Sequence, residues 1–146
     1  MTNSLQQRLG PMLLGSCLAF GLGLTAPAGA EELRIGFLAP TTGIFAQIGK
    51  DMTDGFQLYL DQHGNKLGGA DVKFIVEDEQ GKPDTAVIKA KKLILNDKVN
   101  MFIGGLLAST GYALAPVSTA EKTLYISSIA SADDLTQREL NKYQYF

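Results

Sequence analysis

One histidine, one cysteine and a scatter of hydroxyls and carboxylates are what this sequence offers for chemistry. Ser109, two residues before Gly111, stands as a nucleophile elbow would place it, but Leu107 replaces the leading glycine. A serine nucleophile needs a base to take its proton. The sole candidate, His63, falls at the end of the first predicted helix, which returns the chain to the opposite sheet edge. No dyad forms, and His63 reads as a surface helix end. Gly43 with Gly49-Lys50 has one residue too many for a phosphate-binding P-loop, and Asp51 stands where a magnesium-binding Ser or Thr is needed. No GxGxxG follows the first strand, so Glu77-Asp78-Glu79 lacks the phosphate loop of a dinucleotide site and reads as a solvated strand end. A phospho-receiver would need an aspartate where Gly104-Gly105 stand. Catalysis has no candidate residues. No cofactor and no metal are expected, and the chain reads as a binder, not an enzyme.

What remains is a rim. Thr41, Thr42, Ser109, Thr110, Ser127, Ser128 and Ser131 all fall at predicted strand ends or helix starts. Taken singly, each is a natural helix cap. Together with free backbone N–H groups they can hold a small anion or zwitterion by neutral hydrogen bonds.

The elements that would position this rim alternate. Leu33–Leu38 is a short apolar run closed by Pro40, suited to a buried parallel strand. Ile48, Met52, Phe56, Leu58, Tyr59 and Leu60 recur near helical spacing between Ala46 and Gln62, and Gly64 supplies the stop. Strands are expected at Val72–Val76, Val99–Ile103 and Leu124–Ser127. Helices are expected from Pro83, a good first helical residue, and over about Ser109–Glu121 with Pro116 as a kink or a late first-turn residue; Asp133–Thr136 is a short turn or helix. Tyr143–Phe146 reads as a fifth strand that stops as it starts. This alternation implies right-handed βαβ crossovers: an α/β fold with a parallel, doubly wound, flavodoxin- or Rossmann-like sheet and helices on both faces.

The chain has 146 residues, 45% of them hydrophobic and 19% charged, which bounds it to one small globular domain. A net charge of -2 argues against a nucleic-acid partner. The lone Cys17 excludes a disulfide framework, a CxxC redox pair and a cysteine-rich zinc site. Residues 1–30 hold no acid and one base, Arg8. Their apolar stretch, Pro11–Ala26, ends in Ala28-Gly29-Ala30, with small residues at the −3 and −1 positions that signal peptidase accepts. Gly15, Gly21, Gly23 and Pro27 interrupt it as a membrane anchor. Lipidation at Cys17 would leave the apolar Leu18–Leu24 on the product. Residues 1–30 are therefore expected to be a cleaved signal peptide, leaving 31–146 in the periplasm.

Four segments, in this order, resemble the amino-terminal lobe of the leucine/isoleucine/valine-binding family, type I periplasmic substrate-binding proteins of ABC transporters. They are Leu33-Arg34-Ile35-Gly36 with Thr42-Gly43 and Gly49; Glu77 to Pro83 with Ala86, Ala90 and Leu93; Ile103-Gly104-Gly105 with Ser109 and Ala115-Pro116-Val117; and Ile126-Ser127 through Ser131 to Leu135-Thr136. The resemblance spans Glu31 to Phe146. It implies a solute-binding component that closes on an amino acid or a related small carboxylate or amide and hands it to a membrane permease, as a monomer when full length. It further implies that Ala108 and Ser109 meet a ligand carboxylate. Ser131 would bind the α-amino and carboxylate groups, the Ile129 carbonyl would receive the ammonium, and Ile48 would line the side-chain pocket. Ala108 stands where amino-acid binders often carry serine, and Ile48 replaces a frequent aromatic, so the ligand class stays open between amino acids, amides and aromatic acids. The lobe is expected to be incomplete, with the second lobe and hinge not in this sequence. A ligand-sensing receptor ectodomain of the same fold, or an exported α/β enzyme taking its base from elsewhere, are the alternatives.

Overall fold

A computed structural model describes residues 32–138 and 140–145; the expected signal peptide, 1–30, lies outside the described residues. Strand β1 (Leu33–Ala39) runs through the middle of the sheet. Its alternation sends Ile35, Phe37 and Ala39 to one face and Leu38 to the other. Helix α1 (Ala46–Gln62) covers the first face, where Phe56 and Phe74 stack at 4.8 Å and Phe37 meets both rings. Then come β2 (Lys66–Leu67), β3 (Ala70–Asp78), α2 (Pro83–Leu95), β4 (Met101–Gly104), α3 (Ala108–Glu121), β5 (Leu124–Ile126), α4 (Asp133–Thr136) and β6 (Gln144–Tyr145).

Helices α2 and α3 cover the second face, closing Leu38, Ala86, Ala90, Leu93, Phe102, Leu114, Val117 and Tyr125 into one core. Phe102 and Tyr125, side by side on β4 and β5, stack at 4.8 Å. The sheet order is β2-β3-β1-β4-β5-β6, parallel throughout except for β2, which pairs antiparallel with β3. The expected doubly wound architecture is thus met.

Helix α1 and the Asp133–Thr136 turn have the expected bounds. Two elements were not expected. The Lys66–Leu67 hairpin is additional; it turns on Gly68-Gly69, both at positive φ, a signal present in the sequence. Gly43–Phe45 forms a 3-10 turn ahead of α1. The half-made fifth strand is β6, parallel to β5. Helix α3 continues through Pro116.

The loop after β1 leads to a helix on one face and the loop after β4 to a helix on the other. Their divergence opens a crevice at the carboxyl ends of adjacent strands, where sheets of this topology receive ligands.

Candidate functional site

The rim is built by close approaches that only glycine permits. Gly49, in the first turn of α1, lies so near Pro40 that a Cβ would sit 2.2 Å from the Pro40 carbonyl oxygen. Gly81, at φ 64°, leaves room for the Phe45 ring, which ties the β1 loop to the β3 loop. At the head of α3, a Cβ on Gly111 would fall 2.9 Å from the Ala130 Cβ and 2.8 Å from Leu135. That contact seats the first turn of α3 against the segment carrying Ile129 and Ser131.

Helix α3 begins bare. Its N-cap is Leu107, which offers no side-chain acceptor, and the N–H groups of Ala108, Ser109 and Thr110 have no acceptor among the described residues. The other helices likewise lack a side-chain cap bond at their N-caps, Phe45, Lys82 and Ala132. The expectation that the rim hydroxyls are individually helix caps is therefore corrected. Thr110 and Ser127 are buried instead, each with its hydroxyl oxygen unpartnered. Thr42 gives its hydroxyl to Asp78. Ser109, Ser128 and Ser131 remain exposed at the rim.

Ile129 and Ser131 share a shallow depression of about 330 Å³ with Ser127, Ser128, Asp133 and Thr136. Ile129 also borders an apolar groove of about 400 Å³ that runs along α1 past Phe37, Met52, Phe56 and Ile103. Ala108 and Ser109 form the first turn of α3 beside them. Ile48, 44% exposed on the first turn of α1, lines neither depression. Ile129 and Ser131 thus share one depression, Ala108 and Ser109 lie in the turn just ahead of the Gly111–Ala130 contact, and Ile48 sits one helical turn before Asp51 and Met52 of the groove. His63 caps the far end of α1, its ring stacked on Tyr59 and its Nδ1 2.7 Å from the Tyr59 carbonyl.

The acidic triplet overturns its expected reading as a solvated strand end. Glu77, with a side chain only 12% exposed, receives Lys89 at 2.6 Å and also Lys92. Partial burial opposes its ionisation, but the two ammonium groups hold its carboxyl below the usual range. Asp78 accepts the Thr41 and Gln80 N–H groups, each at 2.9 Å, and the Thr42 hydroxyl. Against the cost of its own burial, these donors keep it ionised to lower pH than usual. Asp78 therefore fastens the β1 loop to the β3 loop. Glu79 is fully buried, with Oε1 accepting the Leu106 N–H at 3.0 Å. Period-two alternation along β3, with Glu77 and Glu79 on the α2 and α3 side and Asp78 on the α1 side, was the signal that could have separated the three.

Residues 32–146 match the model of the periplasmic binding protein family. A Leu/Ile/Val-binding protein of Rhizobium johnstonii is 29% identical over 117 residues, covering 79% of this chain and 32% of the relative. A solute-binding protein of an ABC transporter from Rhodopseudomonas palustris, solved with 3,4-dihydroxybenzoic acid, is 31% identical with a TM-score of 0.72, over 77% of this chain and 31% of its own. A branched-chain amino acid transporter protein from the same species is 25% identical with a TM-score of 0.72. The chain spans about a third of the length of the curated relatives it matches. Parallel sheet, motif order and family match converge: the chain belongs to the periplasmic binding protein family.

Proposed function

We propose that this chain supplies the amino-terminal lobe of an extracytoplasmic solute-binding component of an ABC uptake transporter, which captures a small carboxylate and delivers it to a membrane permease. The observation that carries this reading is the bare first turn of α3 seated beside Ile129 and Ser131. Free N–H groups at a helix start, reinforced by the helix dipole, attract a carboxylate. Ala108 contributes its N–H alone, and Ser109 an N–H and a hydroxyl. Ser131 offers a hydroxyl to the carboxylate and α-amino groups, and the Ile129 carbonyl accepts from an ammonium. Ile48 and the apolar groove along α1 supply the greasy side of the site. A ligand with one carboxylate and an apolar or aromatic body fits this pairing, which covers branched-chain amino acids and benzoate-like acids alike. The role is binding without bond making. A monomer carrying two lobes, working in the periplasm, completes the reading.

Calorimetry of the full-length protein with L-leucine, L-isoleucine, L-valine, benzoate and 4-hydroxybenzoate tests it. Binding of at least one is expected, and indifference to all five would sink this ligand class. With the strongest of the five, Ser131→Ala is expected to weaken binding about ten-fold or more, because a hydrogen bond to a charged group contributes about 1.5–3 kcal/mol. An unchanged affinity in Ser131→Ala would remove Ser131 from the site.

The leader carries its own expectation. Mass spectrometry of the exported protein should find Glu31 as the first residue, with Ala28-Gly29-Ala30 removed. An intact Met1 or a lipidated Cys17 would contradict that cleavage.

A further inference from the structure

Glu79 is a buried carboxyl that the proposed site does not yet use. Its backbone N–H donates to the Ala39 carbonyl at 3.1 Å, and its side chain turns under the loop joining β4 to α3. There Oε1 accepts from Leu106, 27 residues further along the chain, while Oε2 is buried without a partner. The loop has two more anchors. The Gly105 N–H donates to the Leu38 carbonyl at 3.1 Å, and the Tyr125 hydroxyl donates to the Gly104 carbonyl at 3.1 Å. Gly104 and Gly105, at φ 120° and 83°, hold this loop in backbone conformations that residues with side chains rarely adopt. The aim of the next turn, Ala108–Thr110, depends on these anchors.

We propose that Glu79 is a positioning residue for ligand capture: from beneath the loop it holds the Leu106 N–H, and so directs the unused N–H groups of Ala108 and Ser109 at the ligand carboxylate. The proposal rests on the carboxylate-binding reading above. Its chemistry makes capture proton-linked. Among the described residues no cation pairs with Glu79. The titratable groups facing it are Asp78, its neighbour in sequence, and the Tyr125 phenol from β5. Lys82, at the entry to α2, is exposed and turns its Nζ to the Gln80 side chain at 3.3 Å. The end of β1, strand β4 and the first turn of α3 bring no charged side chain. Burial raises the Glu79 pKa above the usual carboxylate range; the Leu106 N–H pulls it back and Asp78 pushes it further up. An anionic ligand arriving at the head of α3 adds a second like charge and favours the neutral acid still more. Binding then takes up a proton. Affinity sits on its higher plateau below the ligand-free pKa of Glu79 and falls as pH rises through the ligand-bound one.

The test uses the full-length protein as wild type, Glu79→Gln and Glu79→Ala, with ¹⁵N-leucine labelling and with 4-hydroxybenzoate and L-leucine as probes. In the ligand-free wild type, the Leu106 amide resonance is expected to titrate in one step centred above the usual carboxylate range, and to be flat in Glu79→Gln. For the probe that binds, wild-type affinity is expected to fall as pH rises from 4 to 8, about ten-fold for each unit by which binding shifts the pKa. Glu79→Gln, a neutral isostere that keeps an acceptor for Leu106, should retain the acidic-side affinity and lose the pH dependence. Glu79→Ala should bind about ten-fold more weakly at every pH. A flat Leu106 resonance in the wild type, or an unaltered pH profile in Glu79→Gln, would overturn the proposal whatever Glu79→Ala does to folding. If neither probe binds wild type, the other three ligands named above decide the ligand class, and the Leu106 titration still decides whether Glu79 holds the loop.

Discussion

Gly104→Ala is expected to destabilise the lobe by more than about 3 kcal/mol, a loss comparable to much of the stability of an ordinary small domain. Gly104 lies opposite Leu38 in the parallel pairing of β4 with β1. A Cβ there would sit 2.0 Å from the Leu38 carbonyl oxygen, 2.9 Å from its carbonyl carbon and 3.0 Å from its nitrogen. All three are backbone atoms of the central strand, so no rotamer change relieves the overlap. The two strands must part instead, and the Tyr125 bond to the Gly104 carbonyl goes with them. The φ of 120° adds strain of about 1–3 kcal/mol for any residue with a side chain. Gly64→Ala is the control. Gly64 also has positive φ, 64°, but a Cβ there meets nothing within 4 Å. Its cost should stay near 1 kcal/mol. Urea denaturation of both variants measures the contrast, and a Gly104→Ala midpoint equal to that of Gly64→Ala would show that the strands are not so closely apposed.

The sheet and its helices were legible because each rests on a local pattern. Met52 and Phe56 sit one helical turn apart on the face that meets Phe37, and Pro83 marks the first residue of α2. A hydrophobic period and a proline are readable without knowing what lies across the fold. The rim was less legible, because what becomes of a polar residue there depends on partners distant in sequence. Nothing near Glu79 in sequence announces that Leu106 will come to its carboxyl, or that Lys89 and Lys92 will come to Glu77. Thr110 and Ser127 share the composition of Ser109 and Ser131, yet the first two point inward and the second two outward. Ser109 and Thr110 are adjacent, and only the seating of α3 on the sheet decides which of them faces the core. Ile48 is placed at the site through family resemblance; it sits one helical turn before Asp51 and Met52, which line the groove reaching Ile129, without lining that groove itself.

Expressed from residue 31 to residue 146, this chain is expected to bind small carboxylates with a dissociation constant no better than about 1 mM. The rim shows why. Ser109 and Ser131 are exposed, Ile48 and Ile129 are each 44% exposed, and the two depressions are open to water. A small ligand gains useful affinity when a site buries about 70–90% of its surface. Docked on this edge, its outward half stays hydrated. A few hydrogen bonds to N–H and hydroxyl groups then compete with water and contribute about 1 kcal/mol each. Against the lost freedom of the ligand this leaves roughly 4 kcal/mol, the millimolar range, where micromolar binding needs about 8 kcal/mol. The same surface favours self-association. The apolar groove past Phe37, Met52, Phe56, Ile103 and Ile129 is open, and the two-residue β6 leaves Tyr145 59% exposed. Exposed apolar grooves are where chains join one another. Sedimentation should therefore show species heavier than the monomer, and calorimetry with 4-hydroxybenzoate or L-leucine little heat below millimolar concentration. Micromolar affinity in a monodisperse sample would defeat both expectations, because it would require this single edge to enclose a ligand that its geometry leaves half in water.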